Sequence, residues 1–100
     1  MTISQLEAMV AIAETGTFTK AADRLCLTQP ALSQQVRSLE ADLGVRLFAD
    51  HGRLRRLTAE GALVLAHSRT VLGAIGRMRR ELAAMGNLDQ GRITIASPDI

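Results

Sequence analysis

The strongest constraint on the fold is a long helical repeat in the second half of the chain. Apolar or small residues recur there at alternating steps of four and three, from Leu57 through Gly61, Val64, Ser68, Val71, Ile75, Met78 and Leu82 to Met85. This spacing is the heptad pattern of helices that pair along their length. Thr58 can cap such a helix, and Gly86 ends the pattern. We therefore predict one helix over residues 58–86.

This helix is too long for the rest of the chain to cover its apolar stripe. At about 1.5 Å per residue it extends roughly 43 Å, whereas fewer than 60 residues precede it. A second copy of the chain is the simplest partner for the remaining apolar stripe. The sequence thus predicts a homodimer, with the predicted dimerisation residues Val64, Val71, Ile75, Met78, Leu82 and Met85.

Composition favours helices elsewhere as well. Hydrophobic residues make up 47% of the 100 residues, but aromatic residues only 2%. The core must then come mainly from Leu, Ala, Val, Ile and Met, a set that suits helices better than sheets. We expect a mainly α protein.

Three short helices are predicted before the long one. The first runs from about residue 4 to 15, with Ser4 and Glu7 in a capping-box pattern and Gly16 as its stop. The second, in "TFTKAADRLCL", is capped by Thr17 or Thr19. A tight turn leads into the third, "TQPALSQQVRSLE", where Thr28 is the N-cap and Pro30 lies in the first turn.

The third helix has an unusual outward face. Its apolar residues form one inward stripe, which leaves Gln29, Ser33 and Arg37 together on the outside, flanked by Pro30 and Gln34. In a helix-turn-helix, the second helix enters the major groove of DNA and reads base edges. Gln pairs bidentately with adenine, Ser donates or accepts, and Arg favours guanine or phosphate. Any one of these residues could be merely solvated, but together they favour a reading face.

A β-hairpin and a strand complete the pattern. The runs "VRLFAD" and "RLRRLT" flank "HG" and predict a hairpin, in which the cluster Arg53, Arg55 and Arg56 is either a phosphate-facing patch or a solvated loop. Residues 87–91 are predicted as a hinge, and "RITIASPDI" at 92–100 as a strand. A lone strand cannot fold, so we expect this chain to be an excerpt of a protein whose second domain begins here.

Other functions find little support. Cys26 permits no internal disulfide, and we interpret it as a small buried hydrophobe in a cytoplasmic protein without a signal peptide or membrane span. His51 and His67 are isolated, so neither a metal site nor a catalytic triad can be assembled. We expect no enzyme and no cofactor. A protein-interaction module built on the long helix remains an alternative to a DNA-binding protein.

The stretch "FTKAADRLCLTQPALSQQVRSLEADLGVRLF" closely resembles the signature of the LysR-type transcriptional regulators. "GRLRRLTAEG", the long helix and "GRITI" follow in the family's order, so the resemblance covers the whole chain. It implies a winged helix-turn-helix over residues 1–57, a dimerising linker helix over 58–86, and the first strand of an effector-binding domain at 92–100. It further implies an interrupted inverted repeat as the DNA site, a dimer of dimers at full length, and a small-molecule effector for the later domain.

The resemblance also implies roles for individual residues. The family's base-reading positions fall on Gln29, Pro30, Ser33 and Gln34, and its DNA backbone or groove positions on Thr19, Lys20, Thr28, Arg37 and, in the wing, Arg53. Three positions depart from the family. Gln34 replaces a common arginine, which favours adenine or a water-mediated contact. Asp50 stands where the wing usually has arginine and is placed to pair with Arg53 or Arg55, while Arg55 replaces a common valine and moves positive charge along the wing.

Overall fold

The computed structural model describes residues 1–51 and 54–88, and it describes only the backbone of residues 50, 51, 54, 55, 87 and 88. The described elements are α1 (Ile3–Thr15), α2 (Phe18–Leu25), α3 (Gln29–Leu43), β1 (Phe48–His51), β2 (Leu54–Leu57) and α4 (Ala59–Leu88). This mainly α architecture, with one hairpin and a long last helix, confirms the predicted fold class. The predicted strand at 92–100 and residues 89–91 of the predicted hinge lie outside the described residues.

The start of α1 differs from the prediction. Thr2, not Ser4, is the N-cap: its Oγ1 accepts the Gln5 N–H at 3.1 Å, and the Gln5 side chain accepts the Thr2 N–H at 3.0 Å. Thr2 and Gln5 repeat the same spacing as Ser4 and Glu7, so the sequence contains two overlapping capping boxes. The earlier box is consistent with the burial of Gln5, whose side chain packs in the interior.

The turn between α2 and α3 is tight and well capped. Thr17 caps α2 by accepting the Lys20 N–H, and Thr28 caps α3 by accepting the Ala31 N–H. The prediction that Cys26 is buried is wrong. Cys26 is the C-cap of α2 with φ +58°, a left-handed conformation that turns its side chain into solvent. Its position at the cap, and not its apolar neighbours, decides its exposure.

The core is built around α1, which packs against α2, α3 and α4. Its largest fully buried apolar side chains are Met9 and Ile12 of α1, Leu32 and Leu39 of α3, and Leu47. Phe18 and Phe48 close one side in an edge-to-face contact, with ring centroids 6.2 Å apart at 74°. The core thus holds α3 by one face and leaves the opposite face exposed.

The hairpin follows α3 directly and is antiparallel, as predicted. Phe48 pairs with Leu57, Ala49 with Arg56, Asp50 with Arg55, and His51 with Leu54. Phe48 is buried against the core and Leu57 is half-buried. The hairpin is therefore anchored to the core at the end where Phe48 pairs with Leu57.

The last helix, α4, divides into two halves. In the docked half, residues 59–72, Gly61, Leu65 and Ser68 are buried and Val64 and Leu72 pack against the core. In the distal half, residues 73–88, Met78, Leu82 and Met85 are 53%, 60% and 65% exposed. The helix ends at Leu88, two residues into the predicted hinge. The described residues consequently measure 54 × 25 × 18 Å.

Candidate nucleic-acid interface

The structure brings the predicted base-reading residues together on one exposed surface. Gln29, Pro30 and Gln34 are exposed and Ser33 is half-buried, all in the first two turns of α3. Thr28 and Pro30 fix the start of the helix through the cap and the constrained proline φ. The N-terminal half of α3 thus presents a rigid row of hydrogen-bonding groups, whose role in reading bases stays a prediction.

Weak contacts hold two of these side chains across the surface. The Gln29 amide donates to Thr19 Oγ1 at 3.3 Å, and the Gln34 amide donates to Ser38 Oγ at 3.3 Å. Both distances exceed the usual N–H···O range. Such bonds orient an amide at little cost and are readily exchanged for bonds to a ligand.

The predicted backbone-contacting residues of α2 lie beside α3. Thr19 and Lys20 occupy the first turn of α2, where both are exposed, and Thr19 is linked to Gln29. Arg37 is exposed one turn after Ser33 on the outer face of α3. This surface therefore combines uncharged reading groups with flanking positive charge, the arrangement expected of a DNA-binding face.

The wing is described only in part. Arg53 lies outside the described residues, so its predicted contact with the groove stays a prediction. Arg55 belongs to β2, and its backbone lies directly opposite Asp50 in β1. The predicted pairing of Asp50 with Arg53 or Arg55 stays a prediction.

A cleft that sequence reasoning missed lies between α3 and the base of the wing. Its volume is about 220 Å³, and it is lined by Phe18, Ser33, Val36, Arg37, Glu40, Arg46 and Phe48. The three- and four-residue spacing of Ser33, Arg37 and Glu40 could have extended the outer face of α3 to Glu40. No local pattern could have brought Arg46 to the same place, since that depends on how the chain turns after Gly44.

Glu40 organises this cleft. Its Oε2 accepts the Leu47 N–H at 2.8 Å and lies 3.9 Å from Arg46 Nε. The Glu40 side chain is 19% exposed and that of Arg46 is 68% exposed. Arg46 Nη2 also donates to the Phe48 carbonyl at 3.3 Å. One carboxylate thus ties α3 to the first residues of the wing.

Thr58, the residue before α4, is hydrogen-bonded to residues 46 and 47 as well. The Thr58 N–H donates to the Leu47 carbonyl at 3.0 Å, and Thr58 Oγ1 donates to the Arg46 carbonyl. Thr58 Oγ1 in turn accepts the Gly61 N–H at 2.9 Å. Residues 46–47 are therefore clamped between α3 and the start of α4.

A second ionic group joins α1, α2 and α4. Glu14 of α1 contacts Arg24 of α2 at 2.6 Å and Arg69 of α4 at 3.5 Å. The hydrogen bond from Arg24, followed by the charges of both arginines, lowers the pKa of Glu14 below its ordinary value of 4.5. The group stabilises the orientation of α2, which carries Thr19 and Lys20.

Residues 1–51 and 54–88 contain no group of three His, Cys, Asp or Glu side chains that could hold a metal ion. None of the helices there is long and apolar enough to cross a membrane.

Comparison with known sequences identifies a family. A family model described as "Bacterial regulatory helix-turn-helix protein, lysR family" matches residues 3–62. A transcriptional regulator from the ibpB-leuC intergenic region of Azotobacter vinelandii is 41% identical over 97% of this chain and 67% of its own length. The transcriptional activator CmpR of Synechocystis is 38% identical over 96% of this chain and 32% of its own length. This chain therefore spans about a third of some relatives.

Solved structures agree with this assignment. The structure of the CbnR DNA-binding domain in complex with DNA has a TM-score of 0.79 and 38% identity, covering 86% of this chain and 99% of that one. The complex of the BenM DNA-binding domain with catB site 1 DNA has a TM-score of 0.80 and 33% identity, covering 92% and 100%. These matches confirm the winged helix-turn-helix fold. The matched proteins are regulators, which confirms that the chain is not an enzyme.

Proposed function

The chain belongs to the lysR family of bacterial regulatory helix-turn-helix proteins and is a DNA-binding transcriptional regulator; we propose that it binds an interrupted inverted repeat as a homodimer. The observation that carries this proposal is the exposed N-terminal half of α3, where Gln29, Ser33 and Gln34 stand on a helix fixed by Thr28 and Pro30. The interaction-module alternative has no comparable family support.

Each part of the surface has a task in this proposal. The start of α3 enters the major groove, where Gln29 and Gln34 suit adenine, Ser33 accepts or donates, and Pro30 packs on base edges. Residues that contact the DNA backbone or the groove edge fix the register of the protein but read little sequence: Thr19, Lys20, Thr28, Arg37, Arg53 and Arg55. Arg53 reaches from the wing toward the minor groove.

Dimerisation supplies the symmetry. An exposed apolar stripe runs along α4 and consists of Val71, Met78, Leu82 and Met85. It continues the heptad spacing beyond the head, by which we mean the winged helix-turn-helix of residues 1–57. Ile75 is half-buried and Val64 packs on the head, so both lie at the margin of this stripe. A twofold pair of such helices presents two reading helices to two half-sites of a palindrome.

Regulation belongs to a later domain in this proposal. A small-molecule effector, of a chemistry that residues 1–100 do not specify, binds a C-terminal domain and changes how a dimer of dimers holds DNA. Residues 1–100 themselves carry no cofactor. The protein works in the bacterial cytoplasm, where its DNA is.

The decisive experiment compares sequence preference with overall affinity. Selection from a random DNA pool first identifies the half-site. Gln29→Ala and Ser33→Ala should then each cost about 1–3 kcal/mol on the selected site and much less on random DNA, because a base contact is lost. Arg53→Ala, the matched control, should weaken binding on both DNAs alike. Equal losses on both DNAs for Gln29→Ala would refute base reading by this residue.

A further inference from the structure

We propose that the cleft between α3 and the wing seats one phosphate of the DNA backbone, and that Arg46 is a DNA-contacting residue positioned by Glu40. The inference rests on the proposed function, because it assumes that α3 occupies the major groove. It adds to that function a phosphate site with two arginines. One is Arg37 of α3, and the other, Arg46, lies outside the helix-turn-helix.

The cleft lies where the DNA backbone would pass between α3 and the wing. A helix in the major groove and a wing at the adjacent minor groove are separated by the sugar-phosphate strand that divides the two grooves. The cleft lies between these two elements: Ser33 and Arg37 line it from α3, and Arg46 and Phe48 line it from the base of the wing. The dividing strand therefore passes over its mouth.

The residues that line the cleft are of the kinds that bind phosphate. Arg37 and Arg46, two positively charged residues, both line the cleft, and so does Ser33, which carries a hydroxyl. Arg46 has five N–H groups in a planar fork. The contacts described for it engage Nε with Glu40 and Nη2 with the Phe48 carbonyl, the latter at 3.3 Å. Within the described part of the chain, the Nη1 donors remain available for a phosphate oxygen.

The negative charge of Glu40 does not prevent a phosphate from binding in the cleft. Its Oε2 accepts the Leu47 N–H at 2.8 Å and faces Arg46, and its side chain is only 19% exposed. The carboxylate is therefore turned toward the protein, while the 68% exposed Arg46 lies on the solvent side. Two arginines against one carboxylate leave the cleft with a net positive charge. Glu40 restrains an otherwise flexible arginine, so less side-chain entropy is lost when DNA binds.

Two aromatic side chains also line the cleft. Phe18 and Phe48 meet edge to face, and Phe48 is buried. Ion pairing beside buried apolar groups is screened less than on an open surface.

The test measures binding of the 100-residue chain to its selected site and to random DNA over a salt series. Arg46→Gln should reduce the slope of log K against log salt by about 0.9, the value of one phosphate contact, and weaken binding roughly three- to tenfold on both DNAs. Arg79→Gln, an exposed arginine in the distal half of α4, removes the same charge and should leave the slope unchanged. If the salt dependence of binding is the same for Arg46→Gln and Arg79→Gln, the inference is wrong. The proposed function would still stand in that case, provided that the wild-type chain binds the selected site. Absence of wild-type binding would refute both.

A second readout separates contact from structure. Neutral methylphosphonates are placed one at a time along the selected site. At one phosphate between the two grooves, Arg46→Gln should lose clearly less affinity than wild type, because the interaction with Arg46 is already gone and only those with Arg37 and Ser33 remain. Glu40→Gln should keep the wild-type sensitivity at that phosphate but weaken binding less than Arg46→Gln. If Arg46→Gln loses as much affinity as wild type at every phosphate, Arg46 is only a structural partner of Glu40 and the proposal is wrong.

Discussion

The two halves of α4 share one heptad pattern but meet different surroundings. The docked half buries Gly61, Leu65 and Ser68 against the head, whereas the distal half exposes Met78 and Leu82. Side-chain polarity does not explain the difference, since the docked half buries a serine and the distal half exposes methionines. What differs is the available partner. The comparison shows that a heptad repeat indicates that a helix packs along its length, but not which surface it packs against.

The first prediction breaks the docked half at its tightest point. A Cβ at Gly61 would overlap the Leu47 carbonyl oxygen, whereas one at Gly73 would meet nothing within 4 Å. Gly61→Ala should therefore destabilise the chain by about 3 kcal/mol through overpacking. Gly73→Ala, its matched control, should stabilise by about 1 kcal/mol through helix propensity. Urea denaturation measures both, and a stabilising Gly61→Ala would show that α4 does not approach Leu47 as described.

The second prediction compares two leucines. Leu65 is 9% exposed and Leu82 is 60% exposed. Leu65→Ala should cost about 2–3 kcal/mol of folding stability at any protein concentration, since it leaves a cavity. Leu82→Ala should leave the stability of dilute monomer within about 0.5 kcal/mol and weaken dimerisation.

Denaturation at two protein concentrations, with sedimentation equilibrium, separates these effects. If Leu82→Ala dimerises as tightly as wild type, the exposed stripe is not the dimer interface.

The smallest expected effect concerns the ion pairs that join the head to the docked half. Arg24 and Arg69 lower the pKa of Glu14 in the folded chain, so its stabilising effect is full above its unfolded pKa and is lost as pH falls through the lower folded pKa. The urea midpoints of wild type and Glu14→Gln should converge below about pH 4.5 and in high salt. Glu7→Gln, at an exposed carboxylate of the same helix, is the control. A difference that persisted at low pH would point to packing instead of charge.

Features fixed by neighbouring residues were predictable from the sequence. Thr28, Pro30 and Gly44 set the limits of α3 through capping chemistry within one turn, and the hairpin followed from its turn and strands. The start of α1 was missed because two capping boxes overlap, and only tertiary burial of Gln5 selects between them. Cys26 was misplaced because its exposure results from a left-handed cap that apolar neighbours do not reveal.

The candidate site divides in the same way. The outer face of α3 could be derived because helical periodicity places Gln29, Ser33 and Arg37 together. The cleft could not, because Arg46 and Glu40 meet only after the chain has turned at Gly44 and been held by the Leu47 N–H. The split between docked and distal halves of α4 also required the head, whose surface decides where packing stops.

The length of the distal half has a mechanical consequence. Its 16 residues, 73–88, extend roughly 24 Å beyond the docked half. The far end therefore lies roughly 37 Å from the contacts at Gly61 and Leu65, and a tilt of about 5° there would move it by about 3 Å, close to the rise of one base pair in DNA. In a pair of chains joined along their distal halves, a slight change in seating would shift one reading head against the other by about a base step. In such a pair, the tight fit at Gly61 would fix the distance between the two DNA-binding surfaces as well as stabilise each chain.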